Sequence, residues 1–222
     1  MKAKRKESPA PQPGQDRRIP IPDSMDGIRF EIARIAKFIV EGQRDPLVLV
    51  TAHKIAELSL DAARQAGGKL AKEPNQVSWL RGIHAWGREH FLNVPNPSSV
   101  EVIKTPGRML RELEIPEEFA RAFWEPIRDA IAKAAGRDPA ELKLPKPRIT
   151  GSSGVAVCLG LSLAAALGLG PLRMRMGGHG EALHHVWGNV WAGGRYYDVD
   201  LMLPKFGEFE RFDTYALVDV PQ

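Results

Sequence analysis

Up to about residue 135 the apolar residues recur mostly at helical spacing. Ile28, Ile32, Ile35 and Ile39 fall at i, i+4, i+7 and i+11. That makes one stripe on a helix which Asp23 or Ser24 would cap and which runs to about Glu41. Asp45-Pro46 opens a second predicted helix to about Gln65, with proline at the first helical position and Gly67-Gly68 closing the region. A third covers Pro74 to Phe91, with Val77, Leu80, Ile83, Ala85 and Trp86 as its apolar content. Pro95, Pro97 and Pro106 predict an extended or looped stretch over 93–107. Met109–Leu113 and Glu117–Ala135 read as helical, the latter kinked or interrupted by Pro126. Leu144 to Gly154 holds Pro145, Pro147, Gly151 and Gly154 and reads as a linker.

From Cys158 the pattern changes. A small-residue apolar run predicts a helix opening at Cys158 and ending near Leu167, closed by Gly168 and Gly170. Leu172, Met174 and Met176 alternate with Arg173 and Arg175, as in a half-buried strand. Gly177 to Leu183 reads as a loop. His184–Trp191 and Arg195–Leu201 are predicted strands around Gly193-Gly194, a strong hairpin signal, and Tyr215–Val220 is a last strand. No internal repeat is visible. The fold class expected is α+β. A helical region (25–149) precedes a core (150–222) in which a helix packs on an antiparallel sheet, with 25–222 as one compact unit.

Hairpin parity adds a specific expectation. If Gly193-Gly194 is a two-residue loop, Ala192 faces Arg195 and Trp187 faces Asp200. Side chains alternate with period two, so His185 shares a face with Trp187 and is a diagonal neighbour of Asp200, within hydrogen-bonding reach. An odd loop length would send Asp200 to the other face. Asp198 has the same parity but lies one pair further along.

Composition places the chain among soluble globular proteins, with 43% hydrophobic and 26% charged residues. No secretory signal is visible, and no apolar run approaches the ~20 residues needed to span a bilayer, so no membrane partner is expected. The net charge is +4, and residues 1–24 carry six Lys or Arg against three acidic residues. This basic, proline-rich arm reads as flexible and solvated. Its sharper alternative is docking on nucleic acid or an acidic protein, where Lys and Arg neutralise phosphate or carboxylate. No aromatic residue interleaves with the charges, which argues against a stacking platform.

Cys158 is the single cysteine, so an intrachain disulfide is excluded and its role is packing or reactivity. A thiol at a helix N-terminus would be stabilised as thiolate by the helix dipole. With His185 to shuttle the proton and Asp200 to orient the imidazole, the three form a candidate acyl-transfer triad, and the Cys158 N–H is an expected oxyanion donor. His179, Glu181, His184 and His185 fit no helical zinc spacing, and no metal or cofactor is expected. His84 and His90 are six residues apart, on different helix faces, and read as structural.

These residues resemble the transglutaminase-like superfamily, related to papain-like peptidases. The resemblance rests on Cys158, Ala164-Ala-Ala-Leu-Gly168, Pro171-Leu-Arg-Met-Arg-Met176, His185-Val-Trp187, Gly193-Gly-Arg-Tyr-Tyr197 and Asp200. Upstream, Trp79–Phe91, Val100–Pro106 and Arg108-Met-Leu110 are similar to members found in tailed bacteriophages and prophages. The resemblance implies a transglutaminase-like cysteine hydrolase, a peptidase or amidase working through a thioester. Cys158 is then nucleophile, His185 base and Asp200 third member, with a protein or peptide as substrate. It places the chain in the bacterial host cytoplasm or with a virion. The chain departs from the family at Ala156-Val-Cys-Leu159, where Gly-Asp-Cys and acidic residues are usual, at Leu201, where proline is common, and in an apparent insertion over 112–149. The alternative is a non-catalytic virion or assembly protein that keeps the fold and binds virion partners through the arm.

Overall fold

The computed structural model describes residues 26–94, 104–114, 117–143, 146–180 and 182–221, and these form an α+β fold. The predicted caps Asp23 and Ser24, the prolines at 95 and 97 and the basic arm lie outside the described residues. The helices are α1 (Asp26–Gly42), α2 (Pro46–Ala66), α3 (Asn75–His90), α4 (Pro106–Arg111), α5 (Glu117–Ala135) and α6 (Ser153–Ala166). The strands are β1 (Phe91–Asn93), β2 (Ile149–Gly151), β3 (Leu172–His179), β4 (Ala182–Ala192), β5 (Arg195–Val199) and β6 (Thr214–Asp219). Among the described residues no helix is long and apolar enough to cross a membrane.

The isoleucine stripe of α1 is buried as its period requires, with Ile32, Ile35 and Ile39 in the core. Asp45 caps α2 by accepting the Leu47 N–H at 2.9 Å, and Pro46 follows at the first turn. Helix α6 is the centre of the molecule. Every residue from Gly154 to Ala164 is buried, the expected fate of a helix that is apolar on all sides. Helices α1, α2, α3 and α4 pack around it, and the sheet closes its remaining face.

That sheet has the order β5-β4-β3-β6, antiparallel throughout. The hairpin has the two-residue loop: Ala192 pairs with Arg195 and Gly188 with Val199. Gly193 and Gly194 both have positive φ, at 54° and 90°, which other residues adopt only with strain. Gly188 faces α6, where a Cβ would stand 2.8 Å from Leu161 Cδ2, so its missing side chain sets the close approach of helix to sheet. A two-stranded parallel pair, β1 with β2, lies apart from this sheet.

Five expectations are corrected. Helix α6 begins at Ser153, five residues before Cys158, because the Ser152 hydroxyl accepts the Gly154 N–H at 3.2 Å and caps it there. The segment 144–154 is not wholly linker, since it contributes β2 and the start of α6. The expected loop over Gly177–Leu183 is mostly strand: β3 continues to His179 and β4 begins at Ala182, with a register shift between Gly177 and Gly178. Helix α5 runs through Pro126 without a break, and Pro106 belongs to the first turn of α4 instead of a loop.

Candidate active site

His185 and Asp200 come together just beyond the last β4–β5 ladder pair, Gly188 with Val199. His185 Nε2 lies 2.6 Å from Asp200 Oδ2. A carboxylate oxygen accepts, so Nε2 carries the hydrogen, and in the neutral ring Nδ1 presents its lone pair. Asp200 Oδ1 accepts the Met202 backbone N–H at 2.9 Å. Both carboxylate oxygens are therefore held. The side chain of Asp200 is 2% exposed and that of His185 12%, so the bond is sheltered from water while the imidazole keeps an open edge.

Aromatic rings fix the imidazole plane. Trp187 stacks on it with ring centres 5.5 Å apart, and Phe212 lies 6.0 Å away. Phe212 can sit there because Gly177, directly across from His185 on β3, has no side chain: a Cβ would stand 2.0 Å from Phe212 Cδ2. His184 is exposed and contacts His179 and Phe212, away from the carboxylate pair.

Asp198 does a different job, as its place one pair along implies. It accepts from Trp187 Nε1 at 2.8 Å, Asn189 Nδ2 at 3.1 Å and Arg175 Nη1 at 3.4 Å. Burial pushes its carboxyl above the usual range, against the pull of Arg175. Arg175 in turn lies over the rings of Phe209, Tyr215 and Trp187. This network braces the Trp187 ring on which His185 stacks.

Helix α3 holds the other side of the site. The Arg88 guanidinium donates to the Met202 carbonyl at 2.7 Å, and His84 Nε2 donates to the Leu203 carbonyl at 3.0 Å. Burial lowers the His84 pKa, which favours the neutral ring. Leu201 packs between helices: Cβ atoms added at Gly87 and Gly160 would stand 2.8 Å and 3.5 Å from its methyl carbons. The chain from Asp200 to Leu203 is thus clamped on α3 and α6. Sequence reading assigned His84 a structural role and did not see Arg88 or Gly87, whose function depends on contacts more than a hundred residues distant.

Cys158 does not occupy the N-terminus of its helix. It is the sixth residue of α6 and has no exposed surface. Its carbonyl accepts the Ser162 hydroxyl at 2.7 Å. Its N–H lies inside the helical ladder, so it is not available as an oxyanion donor. The signal for the true start was present in Ser152-Ser153, a capping pair immediately before the apolar run. Among the described residues no group of three or more His, Cys, Asp or Glu is arranged to hold a metal ion, and Glu181 lies outside them.

No protein-family model, curated protein or solved structure matches this chain.

Proposed function

We propose that this protein is an acyl-transfer hydrolase of the transglutaminase-like kind, a peptidase or amidase, with His185 as general base and Asp200 as the group that orients it. The observation that carries this reading is the 2.6 Å His185–Asp200 bond with both Asp200 oxygens held. A carboxylate that fixes the imidazole tautomer and supports its positive charge is what proton transfer from a nucleophile requires. An unsupported surface histidine has neither property. The reaction passes through a covalent acyl intermediate and is completed by water or an amine. The phage or prophage setting, and the bacterial cytoplasm or virion as location, rest on the sequence resemblance alone.

The test uses the purified full chain against a panel of activated esters and peptidyl amides, with His185→Ala as the control. The expected result is turnover that falls at least about 10³-fold in the variant. Turnover absent from the wild type across the panel, or equal in both proteins, would sink the proposal.

A second reading, a non-catalytic structural or assembly protein on the same scaffold, is favoured by two observations. The Cys158 thiol is sealed from solvent. Helix α5 leaves Ile127 and Ile131, four residues apart, 51% and 44% exposed, an apolar strip suited to a partner. On that reading His185→Ala leaves partner binding unchanged, and Ile127→Asp abolishes it.

A further inference from the structure

We infer that the nucleophile served by His185 is Ser153, the first residue of α6, and that Cys158 is a packing residue. This rests on the hydrolase reading above and names the residue that reading leaves open.

His185 and the start of α6 stand at one level along the sheet. The Trp191 N–H bonds to the Pro171 carbonyl at 3.0 Å, and Leu172 pairs with Val190. The turn after α6 therefore delivers β3 beside the C-terminal end of β4. Helix α6 precedes that short turn, so it runs opposite to β3 and parallel to β4. The two are in register where Leu161 meets Gly188. Moving back three residues along β4, from Gly188 to His185, covers roughly 10 Å at about 3.3 Å per residue. The same distance spans roughly six or seven residues of helix at about 1.5 Å each. His185 is thus level with the first turn of α6, and Cys158 lies deeper in the molecule.

Ser153 also lies on the appropriate face of the helix. Gly160 of α6 faces Leu201, the neighbour of Asp200. At about 100° per residue, Ser153 is one heptad before Gly160 and shares its stripe, whereas Cys158 lies about 160° round, on the opposite side.

Helix α3 clamps Met202 and Leu203, then passes directly into β1. Asn93 of β1 pairs with Gly151 of β2, two residues before Ser153. The chain entering α6 and the chain leaving β5 therefore meet at one end of the molecule.

Ser153 is half-buried where Cys158 is fully buried. Ser152 is occupied in capping Gly154, while among the described residues Ser153 Oγ makes no hydrogen bond. The helix N-terminus also supplies the Ser153 and Val155 N–H groups, which have no partner one turn back within the helix, and the positive end of the dipole for a developing oxyanion. In the step assigned here, Ser153 Oγ bonds to the carbonyl carbon while its proton passes to His185 Nδ1. The tetrahedral intermediate collapses to an ester on Ser153, and the leaving group departs with that proton. Water then repeats the sequence, giving up its proton to Nδ1, and the acid product leaves as Ser153 Oγ regains it.

The experiment exposes the full chain to a fluorophosphonate probe, locates any adduct by peptide mass spectrometry, and measures ester turnover in Ser153→Ala, Cys158→Ala and His185→Ala, with circular dichroism to confirm folding. The expected result is an adduct on Ser153, formed at least about 100-fold more slowly without His185, and turnover lost in Ser153→Ala but retained in Cys158→Ala. A Ser153→Cys variant should become sensitive to iodoacetamide in a His185-dependent way. Turnover that needs His185 and Cys158 but survives Ser153→Ala would overturn the inference and leave the hydrolase reading standing. No adduct and no His185-dependent turnover would remove that reading, and this inference with it.

Discussion

Replacing Asp200 by Asn tests the site at its most sharply defined contact. The wild-type carboxylate accepts twice, from His185 Nε2–H at 2.6 Å and from the Met202 N–H at 2.9 Å. Asn can keep the Met202 bond with its oxygen, but it then turns its NH₂ toward His185. Two donors cannot share that contact, so the imidazole moves its hydrogen to Nδ1 and accepts through Nε2. Folding should change little, because every buried polar atom still has a partner; a cost of about 1 kcal/mol is expected. Catalysis should change greatly, because Nδ1 has lost the lone pair that takes the nucleophile's proton. Imposing the wrong tautomer in a triad costs about 10⁴-fold in kcat, which is about 5 kcal/mol of barrier. Asp200→Ala separates the two effects. It orphans both donors at about 1–3 kcal/mol each, so its stability loss should be about 2–6 kcal/mol. Tautomers are read by long-range proton–nitrogen NMR of the imidazole, stability by urea unfolding and rate by ester turnover. An Asn variant that keeps the wild-type tautomer, or that turns over substrate at the wild-type rate, would refute the reasoning.

Leu201→Ala should cost about 2–5 kcal/mol in a thermal or urea melt, since Leu201 is 2% exposed and fills the space against Gly87 and Gly160; a loss under 1 kcal/mol would mean the helices close over the gap. Gly177→Ala should destabilise by about 1–3 kcal/mol and displace Phe212, whose ring carbon stands 2.0 Å from the new Cβ; an unchanged ring-current shift at His185 would contradict this. His84→Gln should flatten the acid limb of stability. Burial holds the folded His84 pKa below its ordinary 6.5, so stabilisation is complete above that pH and is lost as the unfolded chain takes up a proton on acidification. Urea midpoints at pH 8 and pH 5 should therefore differ less in the variant than in the wild type, and equal differences would count against the assignment.

Local pattern determined a good deal. The isoleucine stripe defined α1, and Asp45-Pro46 placed the start of α2 to the residue. Gly193-Gly194 set the hairpin loop, and its even length placed His185 and Asp200 on one face and Asp198 one pair along, as the structure has them. Period-two alternation is a short-range property, so it survives folding unchanged. The arrangement around Cys158 did not follow from pattern. An apolar run carries no periodicity from which a face or an end can be read, and the chemically suggestive cysteine lies five residues inside the start that Ser152-Ser153 marks. The burial of that thiol depends on four helices and a sheet closing round α6. The level of α6 against β4 is set by their packing, in which Leu161 meets Gly188. Both arise between segments distant in the chain, and only the folded molecule decides them.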